Sequence, residues 1–160
     1  MRRAVLDSCG VDPLVEPPGA FDLVKRAIEA GELELLGTDV LVEELRISAA
    51  PDPKRAKVQA LVGLARMVPT GAFMLNVSSL DLARLGSSPA GVQVLQDGDP
   101  DRYTKDALIG MTGLAEHCAV ITSDRRLRRR AIELGIEVLH ANELLKELGY
   151  TDLLIGASDG

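Results

Sequence analysis

The sequence TKDALIGMTGLAEHCAVITSD, Thr104–Asp124, joins two patterns of different period. Its first part carries apolar residues at helical spacing, whereas AVIT at 119–122 is a short apolar run that is typical of a buried strand. The run ends on Thr122, Ser123 and Asp124, so polar groups follow the strand directly. This stretch therefore predicts a helix and then a strand, the alternation from which parallel α/β sheets are built.

The same alternation runs through the rest of the chain. Apolar runs predict strands, at 2–8, 32–37, 72–77, 119–122 and 137–140. Helical periodicity and capping residues predict helices, at 20–31, 38–49, 52–67, 78–86, 104–117, 124–134 and 141–149. Turn residues around a small apolar patch predict a mobile loop at 87–103. The order of these segments predicts an α/β fold whose central sheet is mostly parallel and covered by helices on both faces.

Length and composition predict one globular domain. The chain has 160 residues, of which 46% are hydrophobic, and we expect a single domain over 1–149 followed by a loose tail at 150–160. No apolar run approaches the roughly 20 residues that a membrane-spanning helix needs. The apolar run at 4–6 is too short for a signal peptide, so the sequence predicts a cytoplasmic protein without a membrane partner.

The cysteines and the overall charge exclude several functions. Cys9 and Cys118 lack the spaced partners of a disulfide framework or a zinc site, and we interpret both as small buried hydrophobic residues. A formal net charge of -6 argues against a protein coated in positive charge for duplex DNA, and two Tyr and two Phe with no Trp leave little for base stacking. If a nucleic acid is the partner, contacts should be local and mostly to phosphates.

Two acidic residues follow predicted strands. Asp7 ends the first strand, and Asp124 comes directly after AVIT. In an open parallel sheet, ligands bind beyond the carboxyl ends of the strands, where the following helices begin. We therefore expect both carboxylates at that edge of the sheet.

Two more acids lie on helices and point away from the solvated face. With Val40 set to zero, Glu44 falls at about 40° on the helical wheel, beside the apolar stripe, whereas Glu43 falls at about 300° on the solvated side. Asp106 lies about 80° to 120° from the polar arc of its own helix, near the helix start. Each acid alone could be a cap or a dipole partner, but four placements at one edge favour a shared site.

Four crowded carboxylates need a counter-charge, because like charges at close range raise one another's pKa values. Oxygen ligands without a His or Cys cluster favour Mg²⁺ or Mn²⁺ over zinc. Such an ion can lower the pKa of a bound water, orient a phosphate and stabilise a leaving oxygen. Phosphodiester hydrolysis is the chemistry that this set of residues predicts.

Three motifs resemble those of a PIN-domain nuclease: VLDSCG at 5–10, TDVLVEELR at 38–46 and KDALIGMTGLAEHCAVITSD at 105–124. The resemblance spans roughly residues 3 to 145. It implies a three-layer α/β/α sandwich, commonly a homodimer, that cleaves RNA with Mg²⁺ or Mn²⁺. Many relatives are toxins of VapBC-type pairs, inhibited by a small antitoxin protein whose segment enters the active-site groove.

The resemblance also implies roles for individual residues. The metal-binding and catalytic acids of that family match four residues here, Asp7, Glu44, Asp106 and Asp124. The hydroxylic residues that orient such sites match Ser8 together with Thr122 or Ser123. Cys9 stands where asparagine is common in that family. The resemblance therefore predicts an endoribonuclease acting on RNA, most naturally single-stranded RNA.

The arginines of RRLRRR, 125–130, offer a phosphate-binding surface. A charge run is usually a solvated helix face, but the wheel places Arg125, Arg128 and Arg129 at the rim of the site and Arg126 and Arg130 farther round. The first three are the candidate contacts for RNA phosphates beside an acidic site that would otherwise repel them.

Two other functions stay open on the sequence alone. A catalytically silent module could keep the fold and bind RNA or a protein, although the presence of all four acids disfavours it. Another Mg²⁺-dependent phosphohydrolase would turn over small phosphate esters rather than RNA. The absence of a DxD pair in the first strand argues against the aspartyl-phosphate type of such enzymes.

Overall fold

The computed structural model describes residues 1–47, 52–70, 94–96 and 100–151. Five strands form one sheet, β1 Arg2–Leu6, β2 Leu33–Gly37, β3 Arg66–Met67, β4 Ala119–Ile121 and β5 Val138–Leu139. Seven helices are described around it, α1 Ser8–Val15, α2 Ala20–Glu29, α3 Asp39–Ile47, α4 Asp52–Leu64, α5 Pro100–Glu116, α6 Arg125–Glu133 and α7 Ala141–Glu147. Residues 94–96 are also helical.

The sheet has the order β3-β2-β1-β4-β5, and each pair of neighbouring strands is parallel. The chain winds outward from β1 to β2 and β3 on one side, and returns to build β4 and β5 on the other. The order therefore reverses between β1 and β4. In doubly wound sheets, ligands bind in the crevice beyond the carboxyl ends of such a pair.

Alternate side chains of β1 enter two cores. Ala4 and Leu6 pack with α1, α2 and α7 on one face of the sheet, and Val5 packs with α5 and α6 on the other. All three side chains are fully buried. A strand that is buried on both faces has a continuous run of hydrophobic residues in its sequence. Such runs are the reason that the sequence predicted β1 and β4 as buried strands. The result is the predicted three-layer α/β/α sandwich with a parallel central sheet.

Several predicted boundaries are wrong. Helix α1 lies where the sequence predicted no helix, because its eight residues include Pro13 and carry little helical periodicity. The helix predicted to reach Met67 ends at Leu64, and Arg66–Met67 pairs with β2 as a two-residue edge strand. Helix α5 begins at Pro100 rather than Thr104, and residues 94–96 are helical inside the predicted loop 87–103.

Other predictions fall outside the described residues, including the strand at 72–77, the helix at 78–86 and most of the tail at 150–160. Tyr150, the first residue of that tail, packs partly buried against the α1 side of the core and donates from its hydroxyl to the Pro18 carbonyl at 3.1 Å. In the part of the chain that the structure describes, no helix combines the length and hydrophobicity needed to cross a membrane.

Close packing of α1 on β4 positions the carboxyl ends of β1 and β4. A Cβ added at Gly10 would lie 2.5 Å from the Ile121 carbonyl oxygen, and backbone cannot move aside cheaply. We expect Gly10→Ala to lower the free energy of unfolding by about 2–3 kcal/mol, measured by urea denaturation. The matched control is Gly63→Ala in α4, where an added Cβ meets no described atom within 4 Å.

The Gly63→Ala protein should be about 0.5–1 kcal/mol more stable than the wild type, because alanine favours the helix. Equal stability of the two variants would show that α1 does not press against β4 as described.

Candidate functional site

Asp7 lies at the junction of β1 and α1, where it caps the helix. The residue is only 3% exposed. Its Oδ1 atom accepts a hydrogen bond from the Ser8 amide at 2.8 Å. Oδ2 accepts from the Thr122 hydroxyl at 2.6 Å and from the Cys9 thiol at 2.8 Å. The two oxygens of a buried carboxylate are thus satisfied by three donors, as buried charge requires.

Thr122 ties the end of β4 to the end of β1. Its buried hydroxyl donates to Asp7 and accepts a hydrogen bond from the Asp124 amide at 3.0 Å. One side chain therefore sets the distance between the segments that carry Asp7 and Asp124. Of the two hydroxylic residues that the sequence offered here, Thr122 is the one that donates to Asp7.

We expect Thr122→Val to lower the free energy of unfolding by about 2–3 kcal/mol, because an isosteric apolar side chain leaves a buried carboxylate oxygen and a backbone amide each short of a partner. Thr122→Ser keeps the hydroxyl and should cost less than about 1 kcal/mol. Denaturant unfolding of both variants measures the difference. Equal losses would show that the hydroxyl contributes no more to the stability of this junction than the methyl group does.

The thiol of Cys9 is part of the same junction. The residue is exposed, which contradicts its prediction as a buried hydrophobic residue, whereas Cys118 is half-buried. Its Sγ atom is nevertheless in contact with the junction, 3.2 Å from Thr122 Oγ1. Burial of the thiol and the adjacent charge of Asp7 raise the pKa of Cys9 to about 11, so it stays protonated and acts as a donor.

Asp124 begins α6 as its N-cap. Oδ1 accepts from the amides of Arg126 at 2.7 Å and Leu127 at 3.0 Å, which satisfies two of the orphan donors of the first turn. Oδ2 makes no hydrogen bond to any residue in the described ranges. The cap role and a ligand role are therefore compatible in one carboxylate, with one oxygen for each.

Asp106 projects from α5 toward the same edge, and its side chain is 25% exposed. The pKa of Asp106 is raised to about 6, mainly by burial and in addition by the charges of Asp7 and Asp124. An ion pair with Arg126 opposes this rise. Three of the four predicted acids therefore lie near enough for their charges to interact, at the reversal of strand order between β1 and β4.

The structure does not join Glu44 to this group. Glu44 is half-buried on α3 and Glu43 is exposed, in agreement with the predicted orientation of the helix. Glu44 nevertheless makes no hydrogen bond or ion pair with a described residue. Ser8 contributes its backbone amide to Asp7, and the buried Ser123 hydroxyl has no partner among the described residues.

One arginine of α6 lies differently from the prediction. Arg126, expected farther from the site, is the one that contacts an acid of the site. It lies about 100° from the buried Leu127 on the helix, and a long side chain at that angle can reach back toward the sheet edge. Arg125 and Arg129 are exposed, and Arg128 contacts Glu143 of α7 at 3.4 Å.

The donor chemistry of the site fits a hard divalent cation. Asp7, Asp106 and Asp124 supply carboxylate oxygens whose mutual repulsion a cation would relieve, and the unpartnered Ser123 hydroxyl adds a polar group. No three acidic, histidine or cysteine side chains of the described residues lie close enough as they stand to hold a metal ion. The cation that faces Asp106 in this arrangement is the Arg126 guanidinium.

The sequence matches no protein-family profile and no curated protein. Similar folds occur among solved structures. PAE2754 from Pyrobaculum aerophilum has a TM-score of 0.53 at 12% identity, covering 92% of this chain and 96% of that chain. VapBC2 from Rickettsia felis, solved with a DNA fragment from its promoter, has a TM-score of 0.50 at 9% identity, covering 86% and 98%.

A domain of a functionally unknown protein from Methanocaldococcus jannaschii covers 88% of this chain and 91% of its own at 18% identity, with a TM-score of 0.47. At these identities the likenesses to PAE2754 and VapBC2 concern the fold alone. They agree with the PIN-like three-layer sandwich predicted from the sequence.

Proposed function

We propose that this protein is an endoribonuclease that depends on Mg²⁺ or Mn²⁺ and acts on single-stranded RNA. The observation that carries the proposal is the convergence of Asp7, Asp106 and Asp124 at the carboxyl edge of the sheet, where the charges of the first and last raise the pKa of the second. Neighbouring acids that shift one another's pKa values are characteristic of functional sites. The fold shared with VapBC2 supports the same class of protein.

The carboxylates of Asp7, Asp106 and Asp124 would hold the cation, with Glu44 reaching the site from α3. When bound, the cation supplies Lewis-acid activation of water and charge stabilisation at the phosphate. The chain itself contributes a rigid frame: Thr122 fixes Asp7 relative to Asp124, and helix α6 holds Asp124 by its amides. Restricting the positions of these acids would help the protein to orient a phosphodiester for reaction.

Arg125, Arg128 and Arg129 are the proposed contacts for RNA phosphates. They lie on α6, directly after the acid Asp124, so phosphates bound there would reach the edge of the sheet. The proposal extends to a cytoplasmic homodimer that acts as the toxin of a VapBC-type pair and is inhibited by a small antitoxin. A reading frame for a small DNA-binding protein beside this one would support that role.

Labelled single-stranded RNAs of varied sequence, incubated with the protein and Mg²⁺, Mn²⁺ or EDTA, test the proposal. We expect internal cleavage with either metal and none with EDTA. Cleavage in EDTA, or no cleavage of any RNA together with no heat of Mn²⁺ binding, would refute it. Turnover of small phosphate esters without RNA cleavage would identify another phosphohydrolase.

One observation favours the alternative of a catalytically silent binding module. Asp106 is paired with Arg126, and the described acids are too far apart as they stand to hold a metal. A protein that binds RNA or a partner protein but neither cleaves RNA nor binds Mn²⁺ would establish this alternative.

A further inference from the structure

Three contacts hold the guanidinium of Arg126 against the acidic site, two from α5 and one from residue 95. Nη2 pairs with Asp106 Oδ2 on α5, and Nη1 donates to the Leu95 carbonyl at 2.8 Å. The guanidinium carbon lies 3.4 Å from the centroid of the Tyr103 ring. The side chain is only 15% exposed, so most of its charge has been withdrawn from water.

These contacts compensate the desolvation of Arg126 only in part. A charge-assisted pair and a cation–π contact are among the stronger polar interactions, but Nε is buried with no partner among the described residues. The carboxylate that it neutralises is the one that faces Asp7 and Asp124. Arg126 therefore acts as the local counter-charge of the site, the same role that a divalent cation would have.

A guanidinium and a divalent cation cannot both bind the Asp106 carboxylate as strongly as either would alone. Oδ2 of Asp106 would be shared between two positive groups, which also repel each other. Pairing of Arg126 with Asp106 and binding of the divalent cation to Asp106 therefore oppose each other, and each lowers the affinity of Asp106 for the other group.

We propose that Arg126 is an internal competitor for the divalent metal, and that metal binding displaces its guanidinium from Asp106, Leu95 and Tyr103. The inference rests on the metal-binding part of the proposed function and extends it by naming the residue that sets metal affinity. Arg126 is a positioning residue of the metal-free site, and its displacement couples metal binding to the segment 94–96 and the start of α5.

Calorimetric titration with Mn²⁺ tests the competition directly. We expect Arg126→Gln to bind Mn²⁺ about tenfold more tightly than the wild type, because a charge-assisted pair no longer has to be broken. The matched control is Arg130→Gln, which removes one charge from the same helix at a residue paired with Glu133 and should change the affinity less than about twofold. Unchanged or weaker Mn²⁺ binding by Arg126→Gln would overturn the proposal.

Tyr103 provides a second measurement that leaves Arg126 in place. The chain has two tyrosines and no tryptophan, so Tyr150→Phe makes Tyr103 the only tyrosine. Withdrawal of the guanidinium from the ring should change Tyr103 fluorescence on titration with Mg²⁺, at the concentration at which calorimetry detects binding. Arg126→Gln in the same background should show no such change. A constant signal in the Tyr150→Phe protein while Mg²⁺ binds would refute displacement.

The outcomes separate this inference from the proposed nuclease activity. Metal binding with a Tyr103 signal and no RNA cleavage would support the competition and refute the nuclease. RNA cleavage with a silent Tyr103 would refute the competition alone. Absence of metal binding in both wild type and Arg126→Gln would refute both.

Discussion

Replacing Asp7 with asparagine is expected to lower the rate of metal-dependent RNA cleavage by about a hundredfold or more. Asp7 is the most deeply buried of the predicted acids, and its charge acts on Asp106. Asparagine has nearly the same shape but removes that charge and one strong oxygen donor for a hard cation. Single-turnover cleavage of a labelled single-stranded RNA in Mg²⁺ measures the loss.

The fold should survive this change. Asparagine is as good an N-cap as aspartate, so α1 can still begin at Ser8. The Thr122 hydroxyl can rotate to accept from the new amide group, since hydroxyls both donate and accept. Circular dichroism checks the folded state. Asp22→Asn, in the exposed first turn of α2, is the matched control and should cleave at the wild-type rate.

Cleavage by Asp7→Asn at more than about a third of the wild-type rate would exclude Asp7 as a metal ligand. The control shows whether loss of any acid from this negatively charged chain reduces activity. Loss in both variants would point to a general effect of charge on RNA binding rather than to a metal site.

Between pH 4.5 and 7.5 the wild type is expected to lose about 2 kcal/mol of unfolding free energy relative to Asp106→Asn. The pKa of Asp106 is raised from its ordinary value of 3.8 to about 6, chiefly by burial. In that interval the folded chain binds more protons at this carboxyl than the unfolded chain does. Stability therefore falls as the pH rises through the folded pKa, and it levels off above it.

Asparagine does not titrate, so this dependence should be absent from the Asp106→Asn protein. Urea denaturation in EDTA at several pH values, for the wild type and the variant, measures the difference between the two curves. Asp22→Asn again serves as the control, because it changes an exposed acid of another helix. Parallel curves for the wild type and Asp106→Asn would contradict the burial of Asp106 beside Asp7 and Asp124.

Local signals in the sequence were sufficient for most of the fold. The apolar runs of β1 and β4 are buried on both faces, and the helix predicted after AVIT begins at its cap Asp124. Prediction failed where local pattern is weak. Helix α1 contains a proline, and β3 is two exposed residues whose strand conformation exists only through pairing with β2.

The sequence predicted which acids belong to the candidate site, but it did not predict the contacts that their side chains make. Asp7 and Asp124 follow strands that are neighbours in the sheet, so parallel topology alone brought them to one edge. The helical wheel correctly predicted that Glu44 and Asp106 are partly withdrawn from solvent. It could not predict whether either side chain comes near Asp7 and Asp124. Cys9 was expected in a core and instead donates to Asp7.

What the sequence by itself determined is the layer architecture and the edge at which the acids collect, because both follow from hydrophobic period and from the direction of parallel strands. Only the tertiary structure decided that Arg126 faces Asp106. Its partners Asp106 and Leu95 lie 20 and 31 positions away in the sequence, and a periodic pattern within α6 carries no information about them. The physical reason is that a long cationic side chain is oriented by the charges it meets, and those charges are positioned by packing between helices rather than within one.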